Sequence, residues 1–329
     1  MARSIRFHET GGPDVLRIED IAVAAPGPGE IRIQVKALGL NRAEALMRRG
    51  TYIETPALPS GLGLEAAGLV EALGDGVTGF AIGDAVSVLP PVSMVRCPVH
   101  GELIRFPAEF VVKHPPGLSF AQAAASWMQY LTAYGALIDI AKLTAGDIVI
   151  ITAASSSVGL AAIEIARQVG ATVIAVTRTV RKQAALLAEG AHHVVASAEE
   201  DLGERLRQIA GTRGVRVVFD PIGGPIFEPL TAAMAPGGIL IEYGGLSPEP
   251  TPFPLFTVLS KRLTLRGYLV HEIIADAARR DAAKVFILDG LSTGTLRPVI
   301  AKVFPFEEIV AAHRYLESNE QFGKIVVTL

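Results

Sequence analysis

"AASSSVG", Ala153 to Gly159, lies between the apolar run DIVIIT (147–152) and the helix-like run LAAIEIARQVG (160–170). A short apolar run, a turn and then a segment of helical period predict strand, loop and helix. In such a unit a loop that cradles phosphate reads G-x-G-x-x-G. Here Ala154 and Ser156 hold the first two glycine positions, and only Gly159 is kept. Two readings follow. The serines can cap the helix, because a hydroxyl accepts from an orphan N–H of the first turn. Alternatively Ser155, Ser156, Ser157 and Val158 form a small, donating loop that lets a pyrophosphate approach the positive end of the helix. Gly159 is then required where helix and strand pack closest.

The alternation continues beyond this unit. TVIAV, HVVAS, VRVVFD, GGILIEYGG and LTLRGY are short apolar runs separated by helix-like segments, the pattern of parallel βαβ units in an α/β fold. Upstream, from Ile5 to about Val112, short alternating segments are punctuated by Gly and Pro. That texture predicts a mainly antiparallel, barrel-like domain. Downstream, two helical stretches and the strand-like KIVVTL could rejoin that first domain. The expected division is 1–122, 123–268 and a return segment 269–329.

Composition narrows the function. The chain has 329 residues, 50% hydrophobic and 19% charged, a formal net charge of -3 and no basic block. Nucleic acid is therefore not an expected partner. A single cysteine, Cys97, excludes an intrachain disulfide and fits a reducing compartment. No apolar run has the length of a membrane span or the form of a signal peptide, so a cytoplasmic protein without membrane association is expected.

The second strand of the alternating region bears on which dinucleotide is bound. An acidic residue there would accept from the ribose hydroxyls of NAD. This sequence has Thr177, Arg178 and Thr179, then Arg181 and Lys182. Arg178 can pair with a 2′-phosphate that a carboxylate would repel, which favours NADPH. As merely solvated residues at a helix start these cations would oppose the helix dipole.

Taken together, FHETGGPDVL (7–16), GLNRAEALMRRGTY (39–52), PSGLGLEAAGLVEALGDGV (59–77), GDAV (83–86), AAASWMQYLTAYGAL (123–137), AASSSVGLAAIEIA (153–166), FDPIGG (219–224) and QFGKIVV (321–327) carry a resemblance. In this order they resemble the medium-chain dehydrogenase/reductase superfamily, in its zinc-independent, quinone-oxidoreductase-like branch. The resemblance implies a GroES-like β-barrel catalytic domain built from both ends of the chain and an inserted Rossmann domain with a doubly wound parallel sheet. It also implies a cofactor in the cleft and, commonly, a homodimer.

The departures matter as much. Where zinc alcohol dehydrogenases of this superfamily place a cysteine and a histidine, this chain has the Leu40-Asn41 pair and Leu64, and it lacks the four-cysteine structural lobe. No metal is expected. The histidines, His8, His100, His114, His192, His193, His271 and His313, are scattered and read as surface or turn residues. Without a Lewis acid, a conjugated acceptor is the easier substrate. Hydride added to a quinone or an α,β-unsaturated carbonyl leaves charge on an oxygen, which needs donors and a proton.

The resemblance assigns further roles. Asn41 is similar to an asparagine that faces nicotinamide and substrate, and Tyr52 to a tyrosine that donates a proton or orients an enolate in enoyl thioester reductases. Tyr52 could equally line the pocket, and Asn41 could also cap the helix that follows it. Thr132 resembles a threonine beside the nicotinamide. Asp220 and Pro221, Tyr243 and Gly244, and Tyr268, Leu269 and Val270 follow three successive strands, at carboxyl ends where open sheets bind ligands. Lys324 reaches the cofactor phosphates or is solvated. Gln129 and Tyr130 line the cleft or the core. Arg48 and Arg49 are solvated or form a carrier-phosphate pocket for an enoyl thioester. A non-catalytic NADPH-binding protein is the reading from another class.

Overall fold

The computed structural model describes residues 1–329 as two compact units, one of 1–128 with 298–329 and one of 129–297. The second unit is built on a six-stranded sheet in which every neighbouring pair is parallel. Its strands in chain order are Ile148–Ile151, Thr172–Thr177, His193–Ala196, Val215–Asp220, Met234–Glu242 and Thr264–Gly267. In space they lie in the order 3-2-1-4-5-6. The order reverses between the first and fourth strands, so the loops after Ile151 and Asp220 flank the crevice where such sheets bind nucleotides. The sequence sets this up directly. Ile148, Ile150, Ile174, Val176, Val195, Val218 and Leu240 are apolar residues buried in one cluster with Leu206 and Leu230 of the covering helices.

The first unit holds a seven-stranded mixed sheet and a three-stranded one. The long strand Glu30–Gly39 pairs antiparallel with Glu65–Leu73, Leu103–Pro107 and Lys324–Thr328. The return of KIVVTL to the first domain is thus a strand pairing, with Val326 opposite Gly39 and the Leu40 N–H donating to Ile325 O at 3.0 Å. This delivers Lys324 beside residues near position 40.

The unit boundaries fall at 128 and 298, later than the expected 122 and 269. Ala123, Ala124 and Ala125 pack with Ala37, Ala67 and Val326 of the first unit. Residues 269–297 stay with the parallel sheet. The Tyr268 hydroxyl donates to Leu131 O at 3.3 Å and Arg279 pairs with Asp139 at 2.5 Å. These long-range contacts assign the helix Ala277–Thr293 to the second unit, while the helix Ile309–Ser318 belongs to the first.

Candidate functional site

In the 129–297 unit, AASSSVG forms the turn between Ile148–Ile151 and the helix Ser157–Val169. The capping reading of its serines holds. Ser156 is the N-cap and its Oγ accepts from the Gly159 N–H at 3.0 Å. Ser155 Oγ accepts from Lys182 Nζ at 3.1 Å, so a basic side chain lies against the loop. The N–H groups of Ser157 and Val158 are in the first turn, where no intrahelical acceptor exists. A Cβ on Gly159 would stand 2.6 Å from the carbonyl oxygen of Ala154, so only glycine fits. Ser156 has φ -73°, and the loop's one left-handed residue is Ala153, φ 44°. The two lost glycines are tolerated because the turn moved its strained backbone one residue back.

Thr177 ends the second strand, buried, and Arg178 follows it with an exposed side chain. Asp220, fully buried at the end of the fourth strand, accepts from the Thr152 hydroxyl and from the Gly223 N–H at 2.9 Å. It fixes the loop that starts at Pro221. Burial, with the Asp220 carboxylate beside it, pushes the Glu242 carboxyl up to about 9. Tyr243 stacks on Phe219 at a ring separation of 4.1 Å, and Gly244 lies against the Pro221 backbone. Tyr268 and Val270 are buried while Leu269 is exposed. Thr132 is buried in the helix Trp127–Tyr134. Gln129 and Tyr130 belong to the core, with the Tyr130 hydroxyl donating to Glu164 at 2.7 Å.

In the other unit, a buried polar cluster forms around Asn41. Asn41 takes the N-cap position of the helix Arg42–Arg49, and Glu44 reaches back to accept from its N–H at 3.0 Å. The Asn41 Nδ2 donates to Gly39 O and to the carboxylates of Glu44 and Glu65, and Oδ1 accepts from Lys324 Nζ at 2.7 Å. Lys324 also pairs with Glu65, and both are 1% exposed. Neither reading of Lys324 holds, solvated or reaching the cofactor phosphates, because its ammonium is buried inside the unit and held by two partners. Leu64 is buried beside this cluster and offers only its N–H, to Glu44. Burial lifts the Glu44 carboxyl to about 7, against the lowering pull of Asn41 and Lys324. Tyr52 is half-buried, and its phenol is pushed up to about 12 by burial and then by Glu54 and Glu44.

Three further expectations are corrected. Arg48 is neither solvated nor free for a carrier phosphate, since it is fully buried and spent on Glu317 and Gly11 O. Arg49 also pairs with Glu317, from the surface. His100 and His313 are not surface histidines: both are buried, at 1% and 0% exposure. Sequence reading also missed Glu44 and Glu65. The signal for Glu44 was the N-x-x-E spacing, which is that of a capping box. Glu65 was an unpaired acid in the apolar stretch GLGLEAAG, and an acid in such a setting demands a buried partner.

Two family models match the chain: an alcohol dehydrogenase GroES-like domain over residues 27–116 and a zinc-binding dehydrogenase over 157–285. A 2-haloacrylate reductase from Burkholderia sp is 32% identical over 99% of this chain and 99% of its own. Quinone oxidoreductase 1 of Escherichia coli (strain K12) is 33% identical over 98% of each. The crystal structure of E. coli quinone oxidoreductase complexed with NADPH superimposes with a TM-score of 0.92 at 30% identity, covering all of both chains. The chain belongs to the medium-chain dehydrogenase/reductase superfamily, in its quinone-oxidoreductase-like branch.

Proposed function

We propose that this protein is an NADPH-dependent reductase that transfers hydride to a quinone or an α,β-unsaturated carbonyl compound without a catalytic metal. The observation that carries the reading is the Asn41–Lys324–Glu65 cluster beside Leu64. A catalytic zinc needs three N, O or S ligands and an open position. Leu64 has no donor side chain, and the Asn41 oxygen is taken by an ammonium group. The residues at the superfamily's zinc position do not fit the ion.

The residues of the 129–297 unit fit the cofactor. The first turn after Ser156 faces a pyrophosphate with free N–H groups, Lys182 lies against Ser155, and Arg178 offers an exposed guanidinium to a 2′-phosphate. Leu269 and Val270 hold the nicotinamide amide through their backbone, in the crevice that Thr132, Asp220, Tyr243 and Gly244 help to form. Bound NADPH supplies the hydride. As the substrate's electrophilic carbon accepts it, the electron pair of the conjugated system moves to the carbonyl oxygen, and a proton then neutralises the product anion.

Tyr52 keeps its proton throughout the neutral range and hydrogen-bonds to that oxygen, donating only to an anion of similar basicity. Asn41, its amide oriented by Glu65 and Lys324, contacts nicotinamide and substrate. The two relatives are named for conjugated compounds, one as a quinone oxidoreductase and the other as a 2-haloacrylate reductase. Following NADPH oxidation against quinones, enones, 2-haloacrylates, enoyl thioesters and simple aldehydes tests the reading. Turnover confined to aldehydes, or no turnover with any acceptor, overturns it.

A further inference from the structure

Outside the chemistry assigned above, the first unit contains a second buried polar group. Glu44 from the helix Arg42–Arg49, His100 from the loop before Leu103–Pro107 and His313 from the helix Ile309–Ser318 converge. One ligand atom from each lies within 4.8 Å of the other two, and Glu44 Oε1 stands 3.6 Å from His100 Nε2. All four ring nitrogens of the two histidines are buried without a hydrogen-bond partner. Buried ring nitrogens without a partner are costly, and an ion between the three side chains would take one nitrogen from each ring.

We propose that Glu44, His100 and His313 form a site for a divalent transition ion, zinc above all, with a water molecule as the fourth ligand. Two imidazoles and one carboxylate are a known zinc donor set, with bond lengths of about 2.0–2.2 Å that place neighbouring ligand atoms about 3.3–3.5 Å apart in a tetrahedron. The Glu44–His100 spacing already approaches this. Burial, helped by Lys324, takes the His100 imidazole down to about 3, and burial also drives His313 well below its usual range. The first shell is also held in place. Glu44 accepts from the N–H groups of Asn41 and Leu64, each at 3.0 Å, and Gly63 packs so closely on the His100 ring that a Cβ there would stand 2.2 Å from it. The site is separate from the superfamily's catalytic zinc position, since neither Leu64 nor the Asn41 side chain supplies a ligand. It ties the return segment to the first helix of the unit.

The test uses the full chain without a polyhistidine tag, incubated with zinc or cobalt(II) and freed of excess ion. Wild-type protein is expected to retain about one zinc per chain. The cobalt form is expected to show the visible d–d bands of a four-coordinate ion and no thiolate charge-transfer band, which excludes Cys97. His313→Gln and His100→Gln should each lower retained metal about tenfold or more, while His114→Gln and Cys97→Ser should not. Should the two buried-site variants fail to fold, the wild-type metal content and cobalt spectrum decide alone. Folded wild-type protein that retains neither ion, or a high-resolution map with only water between the three side chains after zinc loading, overturns the proposal. Metal content is read without turnover, so failure here leaves the reductase reading untouched.

Discussion

Lys324, on the last strand of the chain, donates to Oδ1 of Asn41 at 2.7 Å and so dictates which way that amide faces. The same ammonium is the counter-charge of Glu65. Breaking a buried pair from one side leaves an uncompensated charge and costs about 3–5 kcal/mol. Lys324→Met should lower unfolding stability by that order, read from urea denaturation. The double variant Glu65→Gln/Lys324→Met should recover most of the loss. A double variant as unstable as the single one contradicts the assignment.

Arg178 should set the cofactor preference. A charge-assisted pair with the 2′-phosphate contributes on the order of 1.5–3 kcal/mol, so wild type should bind NADPH at least about tenfold more tightly than NADH. Arg178→Ala should remove most of that difference with NADH affinity little changed, by fluorescence titration. Equal dissociation constants in the wild type rule out the role.

At the loop, two small substitutions should act in opposite directions. Ala153 sits at φ 44°, where a Cβ is unfavourable, so Ala153→Gly should raise stability by about 1 kcal/mol. Gly159→Ala forces a Cβ into the Ala154 backbone and should weaken both folding and NADPH binding. A thermal melt of each variant, with and without NADPH, checks both signs.

Glu242 gives a pH signature. Its carboxyl is held at about 9 in the fold, against 4.5 as its ordinary value. The folded state therefore binds a proton that the unfolded state gives up. The associated stability is fully present below pH 4.5 and is lost as pH rises from 4.5 to 9. Glu242→Gln removes the ionisation, so its gain in Tm should be larger at pH 8 than at pH 5. An equal gain at both values, or a loss at pH 8, refutes the shift.

Tyr52, pushed to about 12, should not titrate between pH 6 and 10. Tyr52→Phe should lower kcat while leaving the shape of the kcat/KM pH profile unchanged over that range. Loss of a basic limb below pH 10 in the variant would mean that the phenol is far more acidic than its surroundings dictate.

The parallel sheet was legible in the sequence because strands buried on both faces must be continuously apolar, as IVII and the VVF of VRVVFD are. The serine loop was legible for a related reason, since the close contact at Gly159 tolerates no side chain. The buried polar clusters were hidden. Glu44 sits on a helix with Arg48 and Arg49, a spacing that normally marks a solvated face. Nothing local in AHRY or PVHG indicates that His313 and His100 meet, because more than 200 residues separate them. The same distance hid the boundary at 298, which depends on contacts such as Arg279 to Asp139 rather than on local pattern.

The strand pairing of Lys324–Thr328 with Glu30–Gly39 also has a bearing on synthesis. A ribosome produces the 129–297 unit in full before Lys324 exists, so that unit can fold during translation while Glu65 still waits for its counter-ion. The first unit is then the late folder. A nascent chain stalled before Gly323 should already protect the parallel sheet from proteolysis while segments 30–73 remain open to cleavage, and the arrival of the strand Lys324–Thr328 should be the event that closes them.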